Sequence, residues 1–141
     1  MIGGLIASVC ALVAATVLGL GWKAGNGRVR VAAANVAQPV SGLTQAELGA
    51  ALGSRATLVQ FSTAFCAPCR ATRRILGDVA GMVEGVAHVE IDAESRLDLV
   101  RRLDVRRTPT TLVLGPDGEI THRASGQPRK ADVIAALGAV I

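Results

Sequence analysis

Aromatic residues are almost absent from this sequence, which has no Tyr, two Phe and one Trp in 141 residues. Proteins that hold single-stranded nucleic acid stack its bases on aromatic side chains, and this chain has too few for such a surface. The net charge of +4 supplies no basic face either. Its excess comes from Lys23, Arg28 and Arg30, whereas residues 41–141 carry twelve Lys and Arg against eleven Asp and Glu. We therefore expect no nucleic-acid partner.

Cysteine is also scarce, since the chain has only Cys10, Cys66 and Cys69. These are too few for a framework of structural disulfides. Zinc bound by Cys66 and Cys69 would need two more ligands, and the sequence has no second CxxC or CxxH pair. Covalent haem attachment needs His directly after the second cysteine, where Arg70 stands. We expect no metal and no cofactor beyond a redox-active disulfide.

The first 22 residues lack charged side chains entirely. The run Ile2–Trp22 is long enough to cross a bilayer, which takes about 20 apolar residues, and Trp22 and Lys23 suit the membrane interface. A cleaved signal peptide is the alternative, but no positive residue precedes the run. We predict a single-pass transmembrane anchor over residues 1–22 and a basic, flexible tether over residues 23–40.

The orientation of this anchor depends on a few charges. Positive residues flanking a membrane span tend to stay in the cytoplasm. Lys23, Arg28 and Arg30 follow the span, so they favour a cytoplasmic location for the rest of the chain. An exported domain is the open alternative.

The most informative feature that is present is Cys66-Ala67-Pro68-Cys69, which follows the apolar run 57–61 and precedes a helix-like pattern. A thiol at the start of a helix is activated, because free backbone N–H groups and the helix dipole stabilise its thiolate. Two thiols three residues apart share one helix face and lie close enough to form a disulfide. The motif therefore predicts a dithiol redox switch.

Hydrophobic periodicity and turn residues predict the remaining elements. In order, these are a short strand near Val29–Ala33, a helix from a capping box at Thr44 through Leu52, a strand over Ala56–Phe61, a helix from Cys66, a strand over Val86–Ile91, a helix over Ser95–Leu103, a strand over Thr110–Leu114, a hairpin strand over Glu119–Ala124 and a helix over Lys130–Ile141. The residues predicted to point inward from the last two helices are Leu97, Val100 and Leu103, and Val133, Ile134 and Leu137. This order predicts an α/β fold whose mixed sheet is parallel first and then antiparallel, with helices on both faces.

These features together resemble the thioredoxin family over about residues 41–141. The matching segments are Leu58–Phe61, Cys66–Cys69, Val89–Asp92, Arg107–Thr110, Gly118–Ile120 and Gly126. The resemblance implies a thioredoxin-like domain over residues 41–141, with Pro109 as a cis proline that faces the dithiol. It also implies that the backbone of Thr108 pairs with an extended substrate segment, as in β-strand addition.

The resemblance further implies a mechanism and partners. Cys66 is the nucleophile that attacks a substrate disulfide, and Cys69 resolves the mixed disulfide. Ala67 and Pro68 shape the first helical turn between them. The implied partners are protein disulfides as substrates, an upstream dithiol reductant, and a membrane through the N-terminal helix.

Four positions depart from the family pattern. Gln60 stands where thioredoxins carry a buried Asp that helps to deprotonate the second cysteine, and His88 stands where a Lys often pairs with that Asp. One hypothesis is that His88 or water transfers the proton instead. The alternative is that Gln60 and His88 are buried polar groups that only form hydrogen bonds. Phe65 and Ala67 replace the usual Trp and Gly where partners dock.

Two classes of function follow from this resemblance. The first is a membrane-tethered protein disulfide reductase, whose exported variant resembles the tethered proteins that mature cytochrome c or other dithiols. The second is a non-catalytic adaptor in a membrane complex. The intact Cys66, Cys69 and Pro109 favour the enzyme.

Overall fold

A computed structural model describes residues 2–25, 27–32 and 42–141 of the chain. Its elements are, in chain order, α1 Ile2–Gly25, β1 Arg30–Val31, α2 Gln45–Leu48, β2 Ala56–Ser62, α3 Ala67–Met82, β3 Val86–Asp92, α4 Leu97–Arg102, β4 Thr110–Leu114, β5 Ile120–Ser125 and α5 Lys130–Gly138.

The five strands form one mixed sheet in the order β1-β5-β4-β2-β3. Strands β2 and β3 are parallel, and the other neighbouring pairs are antiparallel. The predicted change from parallel to antiparallel pairing is therefore confirmed. Strand β2 is buried at all seven positions, because it has a neighbouring strand on each side and helices on both faces.

Each face of the sheet packs against its own pair of helices. On one face, here called the apolar face, the sheet packs against α2 and α4. The core between them consists of Leu43, Leu48, Val59, Phe61, Val89, Ile91, Ala93, Leu99, Leu103, Val105, Leu112 and Leu114. The mixed face, below α3 and α5, has an apolar part formed by Ala56, Leu58, Leu76, Val79, Val113, Val133, Ala136 and Leu137. The alternation along β2 sends Val59 and Phe61 to the first face and Leu58 to the second. Helices on both faces are thus confirmed.

Helix α2 begins as predicted but ends early. The Thr44 side chain accepts a hydrogen bond from the backbone N–H of Glu47, whose carboxylate accepts from the N–H of Thr44, so the capping box is present. The prediction that the helix continues through Leu52 was wrong. Gly49 adopts a left-handed conformation at φ 67°, which terminates the helix after Leu48.

Helix α4 is shorter than predicted and turned differently. Leu97 was predicted to point inward, but it is 50% exposed, and Leu99 is buried in its place. The helix has only six residues, from Leu97 to Arg102, and no side-chain cap at Arg96. Fewer than two turns do not define a hydrophobic stripe, so the packing of the neighbouring loops decides which side chains are buried.

Helix α5 ends at Gly138 instead of Ile141. Val133 and Leu137 are buried as predicted, but Ile134 is 42% exposed, and the smaller Ala136 takes the inward position. Positions i, i+3 and i+4 lie on one helix face. Ile134 falls at the edge of the stripe that starts at Val133.

The apolar N-terminal segment is a helix, as predicted. Its stretch Ile6–Lys23 is apolar and long enough to cross a membrane, with a mean hydropathy of 1.7 and no burial against the rest of the protein. A signal sequence near the N-terminus would have the same properties.

The chain joins the sheet soon after this helix. The predicted short strand near Val29–Ala33 is present as β1, Arg30–Val31, antiparallel to β5. Residues 26 and 33–40 of the predicted tether lie outside the described residues.

Candidate active site

The dithiol lies where β2 passes into α3. Cys66 is the N-cap of α3, and its sulfur accepts a hydrogen bond from the backbone N–H of Cys69 at 3.2 Å. Ala67 begins the helix and Pro68 lies in its first turn, where a missing N–H costs nothing because the first N–H groups have no partner within the helix. A thiolate at Cys66 would be stabilised by the same N–H groups and by the helix dipole.

The two cysteines are joined in a disulfide, with their Cα atoms 5.2 Å apart. Their environments differ, because Cys66 is half-buried whereas Cys69 is only 1% exposed. A sulfur atom from outside can therefore reach Cys66 but not Cys69.

Exposed apolar residues flank the accessible cysteine along the chain. Phe65 is 100% exposed, and Ala67 and Pro68 are exposed as well. A contiguous patch of exposed apolar surface, and not a single side chain, is what marks an interaction site. The residues that depart from the family pattern at positions 65 and 67 thus lie on the surface beside Cys66.

The Thr108–Pro109 peptide bond is cis. The Thr108 hydroxyl lies 3.3 Å from the hydroxyl of Thr63, three residues before Cys66. Thr110 pairs with Phe61 across β4 and β2. These contacts place the segment around Pro109 beside the loop that leads to the dithiol.

Gln60 lies below Cys69. It is fully buried, and its Nε2 donates a hydrogen bond to the backbone oxygen of Cys69 at 2.9 Å. An amide cannot take up a proton, so Gln60 holds this part of α3 without acting as a base.

Two threonines that sequence reasoning missed lie on the same face as Gln60. Thr111 pairs directly with Gln60 across β2 and β4, and Thr72 follows Cys69 by one helical turn. Both are buried. Within the described residues, Oε1 of Gln60 and the Oγ1 atoms of Thr72 and Thr111 have no hydrogen-bond partner. No local sequence signal reveals this cluster, because it depends on the register between distant strands.

His88 lies apart from the dithiol. It pairs with Leu58, two positions along β2 from Gln60, and its Nε2 is buried without a partner in the part of the chain that the structure describes. Burial lowers the pKa of His88, an effect that the charge of nearby Glu90 opposes. The described residues show no hydrogen bond between His88 and either Gln60 or Cys69, and proton transfer by His88 or water stays a prediction.

Glu90 is the acidic side chain nearest to Gln60 in the sheet register, and sequence reasoning missed it. Glu90 pairs with Gln60 across β2 and β3. Its carboxylate accepts two hydrogen bonds from Arg73, at 2.6 and 2.8 Å, and one from Ser62. The hydrogen bonds from Arg73 are the main cause of its lowered pKa, so Glu90 is ionised at neutral pH.

The described ranges contain no group of three or more His, Cys, Asp and Glu side chains that could hold a metal ion.

The chain is similar in sequence to known proteins. The thioredoxin family profile matches residues 40–139. The chain is 30% identical over 81 residues to the chloroplastic thioredoxin M3 of Oryza sativa subsp. japonica, an alignment that covers 57% of this chain and 46% of the relative. The chain spans about half the length of the curated relatives it matches.

Solved structures agree on the fold. A mutant thioredoxin from Halobacterium salinarum superposes with a TM-score of 0.57 at 21% identity, covering 62% of this chain and 75% of that chain. Chloroplastic thioredoxin z, whose structure is described as defining a type-specific target recognition, superposes with a TM-score of 0.56 at 27% identity, covering 62% of this chain and 79% of that chain. The mixed sheet with helices on both faces is therefore a thioredoxin fold.

Proposed function

The chain belongs to the thioredoxin family, and from this premise we propose that it is a thiol–disulfide oxidoreductase that acts as a membrane-tethered protein disulfide reductase. The observation that carries the proposal is the disulfide between an accessible Cys66 at a helix N-terminus and a buried Cys69. The sulfur of Cys66 is accessible to a substrate, whereas the sulfur of Cys69 can react only with Cys66.

The reaction starts from the reduced dithiol. The Cys66 thiolate attacks one sulfur of a substrate disulfide, and the other substrate sulfur leaves as a thiolate. Cys69 then loses its proton and attacks Cys66 in the mixed disulfide, which releases the second substrate thiolate. Two electrons pass to the substrate, whose thiolates take up two protons. The Cys66–Cys69 disulfide that results is reduced again by an upstream dithiol.

The supporting residues have proposed roles that follow from their contacts. Thr108, next to cis Pro109 and held against the Thr63 hydroxyl, offers its backbone to an extended substrate segment. Gln60 holds the carbonyl of Cys69 and so positions the resolving sulfur.

The membrane part of the proposal depends on α1. Its exposed stretch Ile6–Lys23 has the length and hydropathy of a span. Lys23 ends this stretch on the side toward the domain, and Arg28 and Arg30 follow it. By the positive-inside rule this flank favours the cytoplasmic side. Labelling of Cys66 in intact cells with a membrane-impermeant thiol reagent, after reduction, separates this orientation from an exported one.

Reduction of insulin by dithiothreitol tests the activity. We expect the purified full-length protein in detergent to accelerate the reaction and Cys66→Ser to abolish the acceleration. Cys10→Ser is the matched control, because Cys10 is a free cysteine in α1 far along the chain from the dithiol, and it should react like the wild type. If wild type and Cys66→Ser are equally slow, the protein is a non-catalytic adaptor and the reductase proposal is wrong.

A further inference from the structure

The anchor helix and the sheet are joined by a very short connection. Helix α1 ends at Gly25, and Gly27 is already buried, with its N–H donating to the backbone oxygen of Ser125 at 2.9 Å. Gly27 has a φ of +77°, and a Cβ there would lie 1.9 Å from the backbone oxygen of Gln127. Only glycine fits this position. The chain is therefore fixed to the end of β5 two residues after it leaves the helix.

This end of β5 is the active-site end of the sheet. Ser125 pairs with Thr110, the residue after cis Pro109. The N–H of Gly126 donates to the backbone oxygen of Pro109 at 2.7 Å, and the Arg107 side chain donates to the backbone oxygen of Ser125 at 2.9 Å. The end of α1 and the substrate-docking segment are thus attached to the same few residues.

The distance between the two follows from the chain path. Two residues span at most about 7 Å, and neighbouring strands lie about 5 Å apart. From Gly25 through Gly27, Ser125 and Thr110 to Pro109, the path measures at most about 20 Å. Residues 33–41 do not lengthen it, because they follow β1 along the chain, after the attachment at Gly27.

The exposed side chains at this end suit a bilayer surface. Phe65 is fully exposed beside the exposed Pro68. Arg28, next to the attachment at Gly27, and Arg107, next to Thr108, are also exposed. Apolar and aromatic tips with flanking guanidinium groups are favoured at the interface of membranes that contain anionic lipids.

We propose that the disulfide reduced by this protein belongs to a membrane protein and lies within about 20 Å of the bilayer surface. The inference rests on the proposed function and deepens it by naming the substrate class. Because the anchor emerges at the active-site end, Cys66 stays close to the membrane. It therefore encounters disulfides near the bilayer surface far more often than disulfides that lie farther from it. Confinement of Cys66 and the substrate disulfide to the same distance from the bilayer raises the effective concentration of such a substrate.

The test uses two single-span probe peptides in vesicles of phosphatidylcholine and phosphatidylglycerol. Probe A carries a two-cysteine disulfide loop directly after its apolar segment, and probe B carries the same loop after a rigid helical spacer of about 40 Å. Flotation first establishes that the full-length protein is bound to the vesicles. We expect the reduced wild type to reduce probe A at least tenfold faster than probe B.

A linker insertion provides the matched variants. Twelve Gly-Ser residues inserted between Gly25 and Asn26 lift the domain by roughly 20 Å, and we expect the preference for probe A to fall to threefold or less. The same insertion between Asn35 and Val36 leaves the attachment at Gly27 unchanged, so the preference should persist. Insulin reduction in detergent should be equal for all three proteins.

The outcomes separate the two proposals. Failure to reduce insulin overturns the reductase itself, and failure to float with the vesicles overturns the anchor and this inference with it. If the protein floats and reduces insulin but reduces both probes equally, or if both insertions act alike, the reductase stands and the inference is wrong.

Discussion

The two faces of the sheet are built differently, although they share every strand. The apolar face, below α2 and α4, is packed by aliphatic side chains and Phe61. The mixed face, below α3 and α5, is apolar away from the dithiol, but below Cys69 it holds Gln60, Thr72 and Thr111 with buried polar atoms that lack partners among the described residues. Unpaired buried polar groups cost stability. The comparison indicates that the apolar face stabilises the fold, whereas the mixed face is arranged around the buried Cys69.

Neighbouring residues of β2 test this division most directly. Phe61→Ala on the apolar face should lower the free energy of unfolding by about 3–5 kcal/mol, because it leaves a cavity among fully buried side chains. Gln60→Met on the mixed face has a similar shape and should cost less than about 1.5 kcal/mol, since the unpartnered Oε1 is removed together with the hydrogen bond to Cys69. Urea denaturation of the oxidised full-length protein in detergent measures both, and equal losses would contradict the comparison.

The pH dependence of stability tests Glu47, which lies in α2 above the apolar face. The pKa of Glu47 is lowered to about 2, mainly by the hydrogen bond from the Thr44 N–H and then by Arg102 of α4. A carboxylate with a lowered folded pKa stabilises the protein above its unfolded value of about 4.5, and this contribution is lost as the pH falls toward 2. We expect Glu47→Gln to lower the free energy of unfolding by about 1–2 kcal/mol at pH 7 after allowance for solvent screening.

The difference between wild type and Glu47→Gln should shrink between pH 4.5 and pH 3. Urea denaturation at several pH values measures it. A difference that stays constant over this range would mean that Glu47 acts through the shape of its side chain and not through its charge.

The smallest expected effect comes from two adjacent threonines of β4. Thr110 and Thr111 are both 1% exposed, but the Thr110 hydroxyl donates to the backbone oxygen of Arg107 at 2.7 Å, whereas the Thr111 hydroxyl has no partner in the described part of the chain. Thr110→Val should lower the free energy of unfolding by about 1 kcal/mol, and Thr111→Val should leave it unchanged or raise it slightly. Thermal unfolding of the two variants side by side decides, and a larger loss for Thr111→Val would show that its hydroxyl is paired after all.

Much of the fold was predictable because its signals are local. The buried run at β2, the capping box at Thr44 and the turn between β4 and β5 each appear in a few consecutive residues. The errors occurred where a short element leaves its orientation to its surroundings. Leu97 and Ile134 are apolar and near the right spacing, yet the neighbouring packing buries Leu99 and Ala136 instead.

The candidate site divides in the same way. The spacing of Cys66 and Cys69 and the Thr-Pro-Thr segment at position 109 could be read from the sequence, because each is a short motif. The positions of Glu90 and Thr111 next to Gln60 could not, since they depend on the register of β2 with β3 and with β4.

The sequence by itself determined the dithiol, the apolar N-terminal segment and the order of the elements, because residue spacing and hydrophobic period are properties of neighbouring residues. Only the tertiary structure decided that Gln60 holds Cys69 and that the end of α1 meets the active-site end of the sheet through Gly27 and Ser125. These contacts join residues 9 and 98 positions apart. Such pairs come together through strand order and register, which the burial of the whole sheet selects and no single segment encodes.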